Sequence, residues 1–241
     1  MVKTIILAAG LGTRLKKETP KPLVYIKGKP MVKHIVEKIR FINEKAEIIM
    51  VIRKETHEQF KKNLTFDNLS YVFQEKQLGT AHALKCAIEN LLGKEELLIM
   101  YSDTVLIRKK SLKKLIDMHR DNGNTVTFLS GTSNNRYPYA LVVRNEQNQI
   151  IKMYEKKVPK TNPPFEFYVG PIIIESEVAR TYIDDIEPDP NTGEYYIADL
   201  VNKIIENNYS VQSLIIDDER EYLGINTPED FKKAESLLDI M

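Results

Sequence analysis

With 241 residues, 42% hydrophobic and 29% charged, the chain has enough apolar sequence to bury a core, which excludes a disordered or fibrous class. Lys and Arg number 35 against 34 Asp and Glu, a formal charge of +1, so no broad basic surface for nucleic acid or anionic membrane is expected and any anion must be met by a local site. A lone cysteine, Cys86, excludes an internal disulfide, and no apolar run reaches the length of a membrane span or signal core; the expectation is one domain, residues 1–241, in the cytoplasm.

Lys3 to Leu7 is a short β-branched run stopped by Gly10 and Gly12, a buried strand entering a loop that extends to about Pro30. Met31 to Phe41 has helical spacing and Ala46 to Ile52 reads as strand. The alternation continues: helix near His57 to Leu64, strand Leu69 to Phe73, helix Gly79 to Leu92, strand Leu97 to Tyr101, helix Ser111 to Asp121, strand Thr125 to Leu129. Such βα repetition predicts a doubly wound, mostly parallel α/β sheet. Ala140 to Val143, Ile150 to Tyr154 and Phe165 to Ile174 break the rhythm and predict a small antiparallel addition. Helices at Ser176 to Ile183 and Tyr195 to Glu206 and a strand at Val211 to Ile216 follow, and Thr227-Pro228-Glu229-Asp230 opens the last helix with a capping-box variant.

The loop after the first strand, Leu7-Ala8-Ala9-Gly10-Leu11-Gly12-Thr13-Arg14 with Lys21-Pro22-Leu23, lies where parallel sheets bind ligands, beyond the carboxyl end of a strand. Its small residues allow backbone amides close to phosphates, and Arg14 and Lys21 supply positive charge, so a triphosphate suits it. A dinucleotide fingerprint fails for want of the third glycine, where Leu15 stands, and no Gly-Lys-Ser/Thr closes a P-loop. A plain tight turn with exposed basic residues is the bland alternative. Gln74 and Gln77 flank a strand end and Gly79-Thr80 opens a helix, a place to read a base edge or an ordinary helix start. Asp103 ends an apolar strand and Asn226 precedes a helix: each could ligate a hard cation through oxygen, or serve as a turn or cap. His82 and Cys86 lie one turn apart, without a third ligand nearby, and are expected to be helix surface or packing.

These segments resemble the sugar-phosphate nucleotidyltransferases. Gln74-x-x-Gln77-Leu78-Gly79-Thr80-Ala81, Asn191-Thr192-Gly193-Glu194-Tyr195-Tyr196 and Gly224-Ile225-Asn226 are similar, more narrowly, to the uridylyltransferase domain of N-acetylglucosamine-1-phosphate uridylyltransferases. The resemblance implies a Rossmann-like fold, transfer of UMP from UTP to a sugar 1-phosphate, either N-acetylglucosamine 1-phosphate or a hexose 1-phosphate, with release of pyrophosphate, and Mg²⁺ as cofactor. It implies Arg14 and Lys21 as catalytic residues, and Leu7, Ala8, Ala9, Gly10, Gly12, Thr13, Gln74, Gly79 and Thr80 at the nucleotide. Asp103 and Asn226 would hold the metal, and Tyr101, Tyr139, Ala140, Glu155, Tyr168 and Tyr196 would meet the acceptor. The chain departs from the family at Tyr137-Pro138-Tyr139-Ala140, at Tyr168-Val169-Gly170-Pro171, where an Asn that meets an N-acetyl group is usual, and at Ala198. Acceptor identity is therefore open, the same chemistry with CTP or GTP is an alternative, and so is a nucleotide-binding regulatory module without turnover.

Overall fold

The structure is a computed structural model and describes residues 2–15, 19–89, 91, 93–156 and 159–240. In chain order the strands are β1 (Val2–Leu7), β2 (Tyr25–Ile26), β3 (Lys29–Pro30), β4 (Ile48–Ile52), β5 (Leu69–Phe73), β6 (Glu96–Tyr101), β7 (Val126–Ser133), β8 (Leu141–Arg144), β9 (Ile150–Tyr154), β10 (Phe165–Glu175) and β11 (Val211–Ile216). The helices are α1 (Met31–Ile42), α2 (His57–Asn63), α3 (Thr80–Ile88), α4 (Lys109–Asp121), α5 (Ser176–Tyr182), α6 (Ile197–Glu206) and α7 (Pro228–Leu237). Of the expected continuation of α3 to Leu92, Asn90 and Leu92 lie outside the described residues.

Among the described residues nine strands share one sheet, in the order β11-β7-β10-β6-β1-β4-β5, with the β8–β9 hairpin hung from β10. β1 pairs in parallel with β4 and β6, β4 with β5, and β7 with β11. The doubly wound α/β expectation holds, with one difference in placement. β10 lies between β6 and β7, antiparallel to both, so the antiparallel element is built into the sheet rather than attached to its edge. That strand order is set by long-range pairing, which a local pattern does not encode. The first loop also contains the two-residue hairpin β2–β3 and two 3₁₀ turns, Thr13–Leu15 and Lys21–Leu23.

Alternation along β1 sends Ile5 and Leu7 to a core with α3, α5 and α6, and Ile6 to a second core with α1, α2 and α4. A third, smaller core decides where the functional loops sit. Leu15, Val24, Val105 and Ile225 pack there with Ala234 of α7. Each is one to three residues from a candidate site residue, so burying the four apolar side chains pins Arg14, Lys21, Asp103 and Asn226 around one point. Ile225 also donates its backbone N–H to the Asp103 carbonyl at 3.1 Å.

The cap of α7 is complete: Asp230 N–H donates to Thr227 Oγ1 at 3.1 Å, and Asp230 Oδ2 accepts from the N–H groups of Thr227 and Asn226 at 2.8 and 3.0 Å. Thr227→Ala should therefore cost about 1 kcal/mol in chemical denaturation, and a loss within error would show that the cap is not holding this loop.

Candidate functional site

The turn after β1 is shaped by two constraints on Gly12. Its φ is +63°, and a Cβ there would stand 2.5 Å from the Cβ of Lys21. Only glycine lets the loop fold over the Lys21 stem. The Lys21–Leu23 turn, with Leu23 N–H donating to Pro20 carbonyl at 2.8 Å, then delivers Lys21 beneath it.

Lys21 Nζ lies 2.6 Å from Asp103 Oδ2 and 2.9 Å from Asn226 Oδ1, and Arg14 Nη2 donates to the same Asn226 oxygen at 3.1 Å. Four residues spread over the chain thus converge. The capping alternative for Asn226 is answered by the geometry: Thr227 is the cap, and the Asn226 oxygen faces the two basic groups. Asp103 likewise spends its carboxylate on Lys21 rather than on a turn.

A cleft of about 480 Å³ opens on this cluster, lined by the first loop together with Gln74, Gly79, Thr80 and Tyr101. It takes in Leu7, Ala9, Gly10, Gly12 and Thr13 but not Ala8, whose N–H donates to Val51 carbonyl and whose side chain faces the core. Gly79 has φ +94° and its absent Cβ would meet the Tyr195 carbonyl at 2.5 Å, so α3 can start only with glycine there. Gln74 is buried, and its Nε2 donates to Gly79 carbonyl at 3.1 Å and to His82 Nδ1 at 2.9 Å. Since a carbonyl can only accept, the amide orientation is fixed, and Oε1 has no partner among the described residues. His82 thus touches the cleft only through Gln74, whose amide it holds. Burial lowers its pKa, which suits the neutral ring that accepts from Gln74. Glu194 also lines the cleft; it belongs to the motif of residues 191–196, from which no role is drawn for it.

Next to the cleft, and sharing Thr80, Tyr101, Asp103 and Asn226 with it, is a pocket of about 140 Å³. Of the expected acceptor residues, Tyr101, Tyr139, Ala140, Glu155 and Tyr168 line it. Tyr196 stands instead in an outer cavity that shares Glu155, its hydroxyl bonded to Thr192 and Glu194. The tyrosine hydroxyls are tied back into the protein: Tyr139 donates to Tyr222 carbonyl at 2.7 Å and accepts from Gly224 N–H at 3.0 Å, and Tyr168 donates to Gly170 carbonyl. Burial pushes the Tyr139 hydroxyl up to about 12. Register along β10 shifts between Tyr168 and Ile172, a bulge that turns Tyr168 against the edges of Tyr101 and Phe128. Tyr222 and Gly224 also line the pocket; Gly224 opens the Gly224-Ile225-Asn226 motif, whereas Tyr222 carries no pattern in the sequence that would single it out.

Glu155 has no hydrogen-bond or ion-pair partner among the described residues. Burial raises its pKa, Asp199 and Glu194 add to the rise, and Lys156 offsets part of it. A carboxyl raised in the folded state is more easily ionised in the unfolded chain, so its charge removes stability as pH rises through the folded value and removes none well below the ordinary carboxylate range. Glu155→Gln should raise the melting temperature at pH 8 and leave it unchanged near pH ~3. An equal shift at both pH values would show that ionisation of Glu155 is not the cause.

A family model for nucleotidyl transferases matches residues 3–239. The chain belongs to the nucleotidyl transferase family. The bifunctional protein GlmU of Clostridium perfringens strain SM101 is 34% identical over 237 residues, an alignment covering 97% of this chain and 51% of that protein. The GlmU of Caldanaerobacter subterraneus subsp. tengcongensis is 32% identical over 237 residues, covering 98% and 51%. The chain spans about half the length of these curated relatives. Among solved structures, one described as a Bacillus anthracis glucose-1-phosphate thymidylyltransferase with sucrose superposes with a TM-score of 0.78 at 20% identity, covering 100% of this chain and 96% of that one. CMP:2-keto-3-deoxy-manno-octonic acid synthetase with CTP gives 0.73 at 17%, covering 99% and 98%. At these identities the likeness is one of fold, and it agrees with the doubly wound sheet. Among the described residues no helix is long and apolar enough to cross a membrane.

Proposed function

We propose that the chain transfers UMP from UTP to a sugar 1-phosphate in a Mg²⁺-dependent reaction, forming a nucleotide-sugar and releasing pyrophosphate. The observation that carries this reading is the convergence of Arg14, Lys21, Asp103 and Asn226 at the junction of a large cleft and a small pocket. A base is supported by Gln74, whose unpartnered Oε1 suits an edge that offers an N–H, as the imide of uracil does. The nucleotidyl transferase family model over residues 3–239 supports the reaction class, and the reading takes the whole stretch 1–241 as the catalytic domain.

The donor set suits a hard divalent cation: one carboxylate and one amide oxygen, focused on a single point, with no group of three or more His, Cys, Asp or Glu among the described residues. Mg²⁺ commonly takes one or two protein oxygens and fills its shell with phosphate and water. When bound, it supplies charge neutralisation and alignment at the triphosphate. The chain's own residues do the rest. The acceptor phosphate oxygen attacks the α-phosphorus, the bond from that phosphorus to the β-phosphate oxygen breaks, and pyrophosphate leaves with the electron pair. A phosphate oxygen is already anionic at neutral pH, so no Ser, Cys or His nucleophile is needed. Arg14 meets the triphosphate, Lys21 bridges acceptor and α-phosphates, and positioning with charge neutralisation lowers the barrier.

Our reading of the acceptor is a hexose 1-phosphate rather than N-acetylglucosamine 1-phosphate, and the pocket lining supports it. Glu155 offers only lone pairs, which suit sugar hydroxyls, while Tyr139 and Tyr168 have committed their hydroxyl protons to backbone carbonyls and present ring surface.

Pyrophosphate release across four nucleoside triphosphates and a panel of phosphorylated acceptors tests the reaction and both specificities together, with UTP and a hexose 1-phosphate expected to give the highest kcat/KM. Turnover with no pair, despite UTP binding, would favour a regulatory module instead. With the best pair, Asp103→Ala or Arg14→Ala should lose about a hundredfold in kcat/KM, on the order of 3 kcal/mol of transition-state stabilisation; full turnover in either variant removes that residue from the mechanism.

A further inference from the structure

The Lys21 ammonium stands where a cation bound by Asp103 and Asn226 would stand. Its Nζ is 2.6 Å from one oxygen and 2.9 Å from the other, and its side chain is largely buried in that position. A Mg²⁺ ion ligated by the same oxygens at about 2.0–2.1 Å would come into contact with this ammonium, placing two positive centres side by side and taking the lone pairs that now accept from Lys21. The two arrangements exclude each other. Arg14 adds a second positive group on the Asn226 oxygen, so a free divalent ion has two donors to displace.

We propose that Lys21 is the resident counter-ion of the metal site and that the divalent cation is admitted only together with a nucleoside triphosphate. The inference rests on the reading of Asp103 and Asn226 as cation ligands. A free cation brings no anion and would leave the displaced ammonium without a partner in the partly buried cleft, whereas a triphosphate supplies anionic oxygens to Lys21 and Arg14 as the metal takes over Asp103 and Asn226. The cleft therefore selects the metal–triphosphate complex over either component alone. Gly12 is part of the device, since its missing Cβ is what lets the Lys21 stem lie in the notch.

The arrangement makes an expectation opposite in sign to that for a residue which merely helps to bind metal. Without nucleotide or acceptor, Mn²⁺ binding followed by electron paramagnetic resonance should be weak in the intact chain and at least about tenfold tighter in Lys21→Met, which keeps the length of the stem and removes the charge. UTP should tighten Mn²⁺ binding in both proteins, and by a smaller factor in the variant, because part of the linkage in the intact chain is the release of Lys21 to the phosphates. Asp103→Asn in the Lys21→Met background should abolish the gain, which assigns it to this site. Lys21→Gln, which retains a neutral donor, carries the same expectation with a smaller gain should the methionine variant not fold. Equal or weaker Mn²⁺ binding in the Lys21 variants without UTP overturns the counter-ion role while leaving the metal reading standing. No Mn²⁺ binding by any of the proteins, with or without UTP, ends the metal reading and this inference with it.

Discussion

The contact between the Lys21 ammonium and the oxygens of Asp103 and Asn226 is the constraint around which the functional half of the molecule is arranged. It joins segments 82 and 205 residues apart in the chain. An ion pair that is only partly buried contributes little net stability, so it does not hold the loops together by itself. The third core does that: Leu15, Val24, Val105 and Ile225 bury apolar surface next to the four polar groups and leave those groups facing the cleft. Stability is supplied a few residues away from the chemistry, which leaves the charged side chains able to change partners.

The two adjoining spaces differ in character. The cleft is edged by Arg14 and Lys21 and by backbone from a glycine-rich turn, a setting for anionic oxygens. The pocket is walled by tyrosine rings and by the carboxyl of Glu155, which has no partner among the described residues, a setting for a polyol that presents hydroxyls. A chain with a formal charge of +1 thus concentrates opposite polarities on the two sides of the Lys21 contact, which suits a reaction that joins a triphosphate to a phosphorylated acceptor.

Much of the architecture was legible because local pattern and long-range demand agree. Leu69–Phe73, Ile150–Tyr154 and Val211–Ile216 have the same bounds in the structure as in the sequence reading, and the Thr227 capping box is formed. The disagreements share a cause. β7 runs on to Ser133 because Phe165 to Tyr168 of β10 pairs with its far end, and β10 takes a central place because β6 and β7 both offer it an edge. Neither fact is present in the residues of β7 or β10 alone. In the site, Ala8 belongs to the motif but turns to the core, since alternation along β1 sends it to the opposite face from Leu7 and Ala9. His82, read as surface or packing, is the partner that orients Gln74.

The sequence by itself determined the fold class, the carboxyl-end location of the glycine-rich loop and the set of residue types available to a site, because strand periodicity, glycine conformation and side-chain chemistry are local properties. Only the tertiary structure decided which of those residues meet. That Lys21 lies between Asp103 and Asn226, that Tyr168 turns its hydroxyl inward and Glu155 is left without a partner among the described residues, and that Tyr196 stands outside the small pocket all follow from the packing of segments far apart in the chain. Their relative placement is fixed by the burial of apolar surface they share, a quantity that exists only once the chain has folded.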